Sequence, residues 1–256
     1  MKLQRDSRIE LFKNDDQIFL KGFYLYKHSN EGIIAPLKVT VPNIPAMYLN
    51  ISDRSLKSAQ NIFRKKLEPF ISFNIDENYY EFSIENGDNI FFNVLEDLFI
   101  SIVFTYAAVE SIVNNLIPNN YFEKTTENSK EITIGKSWIE KNVKLTEKIK
   151  IYLPKIHSVK INVNDLKYWN SFKSLEYFRN ELVHFKSEEY INDTLKCGPF
   201  LSKLFFEQSK NDIIESGRKV IHMLTTIIPD LQGLPHEFHE EYYDLNKNLN
   251  YFSKKR

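Results

Sequence analysis

From Val94 to Leu116 the chain keeps one helical face apolar. Val94, Leu95, Leu98, Phe99, Ile102, Tyr106, Val109, Val113 and Leu116 recur at helical spacing, and Pro118 closes the run. A helix with such a stripe must bury it against other elements. Three later segments read as helices that can do so: Ser137 to Leu153, ended by Pro154; Asp165 to Glu189; and Lys203 to Ile228, ended by Pro229. The expected fold is therefore mainly α, a bundle of four to five helices, with the stretch from Gln232 to Arg256 as a short fifth helix or docked tail. Asn119 to Ile134 is polar and reads as a loop.

Residues 1–88 follow another pattern and are expected to form an α+β elaboration ahead of the bundle at 89–256. Ile18–Tyr26 and Ile33–Val41 read as strands. Ser52-Asp53 reads as the cap of a helix from Arg54 to Leu67, stopped near Pro69. Phe70–Ile75 and Tyr79–Ile84 form a hairpin pattern, and Glu85-Asn86-Gly87-Asp88 a turn.

Composition narrows the chemistry. Only 7 glycines in 256 residues argue against Gly-rich phosphate loops. A formal net charge of +0 gives no support to a dedicated duplex-DNA binder, which would be basic. The single cysteine, Cys197, can build neither a disulfide framework nor a zinc knuckle, which fits a cytoplasmic protein. The uncharged apolar stretch from Leu98 to Val109 is short for a bilayer and reads as a buried helix, so no membrane is expected. His236 and His239 are three apart, not the four of a zinc-peptidase helix, so neither metal nor cofactor is expected.

The segment with the most specific chemistry is Leu175-Glu176-Tyr177-Phe178-Arg179-Asn180-Glu181-Leu182-Val183-His184. Arg179 falls within the apolar stripe of its helix, formed by Tyr168, Phe172, Leu175, Leu182 and Val183. An arginine there is costly unless paired. It is either a buried ion pair that fixes register or a guanidinium held for a phosphate. Glu110, the one charge between Leu98 and Pro118, is the expected brace. His184 does not share a face with Arg179, whereas Asn180 and His184, four apart, do. Two copies meeting at a cleft would bring two Arg and two His together. An imidazole can pass protons near neutral pH, and a guanidinium can hold charge developing on a phosphate. Seven lysines against two glutamates between 136 and 160 offer an electrostatic track for RNA, with Lys141, Lys144 and Lys148 on it and Lys186 beyond. The same run also reads as a solvated helix face. Trp138, Tyr152 and His157 could stack bases or belong to core and rim. Arg218 and His222, four apart, could make a second phosphate contact or an ordinary helix surface.

Arg179-Asn180-Glu181-Leu182-Val183-His184 resembles the R-x4-6-H signature of the HEPN superfamily, in which a polar residue often follows the Arg. Ala107-Ala108-Val109-Glu110-Ser111-Ile112-Val113-Asn114 resembles that family's opening helix. The resemblance covers about residues 90–228. It implies a helical bundle acting as a homodimer, and a metal-independent RNA endonuclease of a toxin or anti-phage (abortive-infection) system, with Arg179, Asn180 and His184 catalytic. An antitoxin or other defence protein would be its partner. Lys186 stands where one branch of the family carries a modifiable Tyr, so that form of control is not implied. Other members are non-catalytic binding or scaffold modules, and this alternative stays open.

Overall fold

A computed structural model describes residues 11–14, 17–20, 22–29, 32–40, 43–74, 79–127, 130–183, 190–191, 194–195 and 209–228. It is a mainly helical bundle with antiparallel hairpins at its connections. In chain order, β1 (Leu11–Asn14) pairs with β2 (Gln17–Leu20), and β3 (Gly22–Ser29) with β4 (Gly32–Thr40). Helix α1 spans Ile44–Ile62 and continues through a π turn, Phe63–Leu67, and a 3-10 turn, Glu68–Phe70. The hairpin β5 (Ile71–Asn74) and β6 (Tyr79–Phe82) then leads to α2 (Gly87–Asn115). A further hairpin, β7 (Phe122–Glu127) and β8 (Lys130–Gly135), is followed by α3 (Lys136–Asn142), α4 (Leu145–Glu147), a π turn (Lys148–Tyr152) and α5 (Leu153–His157). Helix α6 (Trp169–Val183), the short pair β9 (Tyr190–Ile191) and β10 (Thr194–Leu195), and α7 (Ser209–Ile227) complete the order.

Helix α1 begins well before the expected cap at Ser52-Asp53. Asn43 is the residue that satisfies its open end: its Oδ1 accepts from the Ala46 N–H at 3.2 Å. Pro45 follows in the first turn, where its missing N–H costs nothing. Ser52 is instead an interior residue of α1. Its hydroxyl donates to the Ser101 carbonyl at 3.0 Å and lies 2.9 Å from Ser101 Oγ and 2.6 Å from Thr105 Oγ1. All three hydroxyl residues are fully buried, and a buried hydroxyl needs such partners.

The turn before α2 is present as expected, with Asn86 in the left-handed region at φ 61°. Helix α2 runs 29 residues. By length and apolar composition it is able to cross a membrane, with a mean hydropathy of 1.6 over its most apolar window, which the shorter stretch Leu98 to Val109 did not convey. Its stripe is nevertheless packed inside the protein: Val94, Leu98, Ile102, Val109, Ile112 and Val113 are at most 1% exposed.

Asn119 to Ile134 is not a loop. Most of it forms β7–β8, with Phe122 opposite Gly135 and Lys124 opposite Thr133. Short strands with one inward face carry few apolar residues: Ile134 is buried, whereas Phe122, Lys124 and Thr133 are exposed. Pro154 also fails to end its helix. It is the second residue of α5, directly after the π turn, which widens the backbone where the proline ring needs room. The end comes at Ser158, left-handed at φ 54°, with the Val159 N–H bonded back to the Pro154 carbonyl at 3.1 Å.

Two compact units emerge. One comprises Met1–Met47, Glu110–Ile161 and Val220–Arg256; the other comprises Tyr48–Val109 and Asn162–Lys219. In the second unit α1 is tied to α2 by the Ser52 hydroxyl and to α7 by an ion pair between Asp53 and Arg218. In the same unit Gly217 of α7 lies close to α2 and α6. A Cβ there would stand 2.5 Å from the Thr105 methyl and 3.1 Å from a Leu175 methyl.

Gly217→Ala is expected to lower the melting temperature. Alanine gains about 1 kcal/mol of helix propensity, but overpacking costs about 1–3 kcal/mol, and Thr105 is pinned by Ser52 and cannot turn away. Gly135, whose added Cβ would meet only the Tyr121 carbonyl at 3.5 Å, should tolerate alanine with a smaller change in the same melt.

Candidate functional site

On α6 the residues Trp169, Phe172, Leu175 and Phe178 are buried. By helical period Arg179 falls on the arc between Phe172 and Leu175, so the backbone directs it toward the apolar side, as the sequence indicated. The last turn of the helix runs past the core, however. Leu182 is only half-buried and Val183 is 50% exposed. Arg179 itself is half-buried. Its guanidinium carbon lies 5.0 Å from the centre of the Tyr106 ring, and its Nη1 donates to Asn180 Oδ1 at 3.0 Å. Among the described residues no carboxylate pairs with it. Among those residues an aromatic face and an amide hold the group, worth roughly 0.5–2 kcal/mol for the ring.

Tyr106 is the residue that sequence reasoning missed in this role. It was read only as part of the α2 stripe. It is 5% exposed, and its hydroxyl donates to Glu176 Oε1 at 3.4 Å. That carboxylate, three residues before Arg179 on α6, thus helps fix the ring on which the guanidinium rests. Nothing in spacing or composition links Tyr106 to Arg179.

His184 and Lys186 lie outside the described residues, as do Cys197, His236 and His239. Arg179 and Asn180 are the two expected catalytic residues that the structure brings together.

Glu110, expected as the brace of Arg179, belongs to the other unit. The cation on which its charge acts there is Lys148. Lys148 is not on a solvated track: it is 1% exposed, and its Nζ donates to Asn114 Oδ1 at 2.9 Å and to the Glu140 carbonyl at 3.0 Å. The π turn explains this, since it turns Lys148 and Ile149 inward together. Burial lowers the Lys148 pKa, and the charges of Glu110 and Glu140 oppose that shift. Lys141 and Lys144 are exposed. Arg218 is likewise an interior cation, 4% exposed and paired with Asp53 and Glu215, while His222 is exposed. The two therefore do not form a second phosphate contact at an open surface. His157 bonds the Leu116 carbonyl at 2.9 Å and is part of the packing of its unit.

The Lys148 shift has a defined sign. A lysine whose folded pKa is lowered binds fewer protons in the folded than in the unfolded state between its folded pKa and 10.5. Stability contributed through it therefore rises as pH climbs through that window. Denaturation of wild type and Lys148→Met from pH 7 to 10 should show the difference between them moving in favour of wild type as pH increases. A difference independent of pH would contradict the buried ammonium. Comparison with known proteins adds no relative to this picture: no protein-family model, no curated protein and no solved structure matches the chain.

Proposed function

We propose that this chain is a metal-independent RNA endonuclease of the HEPN type, acting as a homodimer in the cytoplasm as a toxin or anti-phage effector. The observation that carries the reading is Arg179. It sits near the end of α6, beside Asn180 and over the Tyr106 ring, and no carboxylate among the described residues pairs with it. A guanidinium kept positive beside an aromatic face is suited to a phosphodiester, because its planar fork matches two phosphate oxygens.

In the proposed reaction the 2′-hydroxyl oxygen attacks the adjacent phosphorus. The new P–O2′ bond forms as the P–O5′ bond breaks, giving a cyclic phosphate and a free 5′-hydroxyl. The 2′-hydroxyl proton passes to the His184 imidazole of one copy, and the His184 imidazolium of the other copy protonates the leaving oxygen. Arg179 stabilises the charge on the non-bridging oxygens, and Asn180 keeps the guanidinium turned toward them. A neutralising partner protein would act by covering this end of α6.

Purified protein incubated with total RNA in EDTA should cut it. Arg179→Ala and His184→Ala should each lower the rate by about a hundredfold or more. Undiminished cutting by folded His184→Ala would remove the catalytic assignment and leave the binding-module alternative.

A further inference from the structure

Helix α1 presents a face that neither its packing nor the proposed chemistry uses. Leu49, Ser52, Leu56 and Ala59 are buried along one side of it. By helical period Arg54 lies opposite them, and Lys57 and Asn61 fall within about 60° of Arg54. All three are exposed. Arg64 and Lys65, three and four residues after Asn61, continue the row into the π turn, and Lys66 follows. These are exposed as well, whereas Leu67, at the end of the turn, is fully buried. The row is thus one continuous side of one element.

Nothing among the described residues neutralises it. From Arg54 to Lys66 the chain holds five positive residues and no negative one. Asp53, directly ahead, is taken by the interior Arg218. Glu68, four residues after Arg64, is exposed and forms no ion pair with it. Among the described residues none of the five cationic side chains has an ion pair or a hydrogen bond. Arg54 and Lys57, three apart on one face, repel each other, and an anionic occupant would relieve that.

The rest of the surface decides which anion. Between Arg54 and Lys66 no apolar or aromatic residue is exposed. A protein interface needs an apolar centre and is poor in lysine. A helix lying in a membrane surface needs an exposed apolar side, and the apolar side of α1 is buried in the protein. Unpaired bases need exposed rings to stack on. A duplex offers phosphates alone. Arg54 and Lys66 stand roughly 18 Å apart at the rise of a helix. Five charges over that distance come close to the spacing of phosphates along one duplex strand, about 3.4 Å. Asn61, exposed within the row, adds an amide donor of the kind that contacts phosphate oxygens.

We infer that this side of α1 holds the phosphate backbone of a nucleic-acid duplex, through Arg54, Lys57, Arg64, Lys65 and Lys66. The contact reads no bases, and it does not require the cleavage chemistry proposed above.

The test uses the full chain and fluorescein-labelled 2′-O-methyl RNA duplexes of two unrelated sequences. They lack a free 2′-hydroxyl, so binding is read apart from cutting. A DNA duplex of equal length shows which nucleic acid is the source of the phosphates. Wild type should bind both sequences equally, more tightly than either single strand. Five contacts predict a logarithmic salt dependence of about −4.5. Arg54→Gln, Lys57→Gln and Lys65→Gln should each flatten that slope by about 0.9. Lys160→Gln, an exposed lysine of the other unit, should leave it unchanged. The four altered positions are exposed, and circular dichroism checks that each variant is folded. Absence of duplex binding, preference for a single strand, or slopes that the three α1 variants leave unchanged would overturn the inference. Equal flattening by Lys160→Gln would do the same, as would displacement of the duplex by polyglutamate or phosphatidylserine vesicles at equal charge. Cutting lost in His184→Ala with duplex affinity intact would leave this contact standing on its own.

Discussion

Burying one side of a 29-residue helix, Gly87–Asn115, is the constraint around which the rest of the chain is arranged. Each fully buried Val, Leu or Ile along it contributes roughly 1.5–3 kcal/mol relative to exposure, so the stripe dominates the local energetics. The helix also carries polar groups into the interior, and each must be matched there. Ser101 and Thr105 are matched by the Ser52 hydroxyl of α1. Asn114 is matched by the Lys148 ammonium. The polar atoms on α2 thus select which residues of the neighbouring helices can face it.

The same rule separates the cations. Arg218 is buried and lies between two carboxylates, Asp53 and Glu215, the latter held protonated to higher pH by its own burial. Lys148 is buried and takes an amide oxygen and a backbone carbonyl, with Glu110 and Glu140 steadying its charge. Burying a charge without such compensation costs several kcal/mol. Arg179 reaches the same kind of apolar arc without a carboxylate and remains half-exposed, over Tyr106 and beside Asn180. Among the described residues it has no carboxylate partner, and the proposed chemistry rests on that difference.

Much of the helical architecture could be read from periodicity. The α2 stripe, its end before Pro118, the hairpin at Ile71–Phe82 and the position of α7 are all set by local pattern. What escaped has specific causes. The Asn43 cap stands among prolines that read as the end of a strand rather than the start of a helix. In β7 the residues Glu123 to Glu127 are all polar, and in β8 the alternation is confined to Ile132-Thr133-Ile134, so the period-two signal is faint. Lys148 reads as one more surface lysine, since a π turn shifts the helical phase in a way no spacing rule anticipates. In the candidate site, Arg179 and Asn180 were legible because a charged residue inside an apolar stripe demands a reason. Tyr106 was not, because its role depends on two helices far apart in sequence.

The stability of Arg179→Ala, set beside Arg218→Ala in chemical denaturation, tests the central distinction most directly. A guanidinium resting on a ring and an amide should be removable at a loss of about 1 kcal/mol, while Arg218→Ala, which strands two carboxylates, should lose about 3–5 kcal/mol. A loss for Arg179→Ala as large as that for Arg218→Ala would show a structural cation, and the phosphate-binding account would fail.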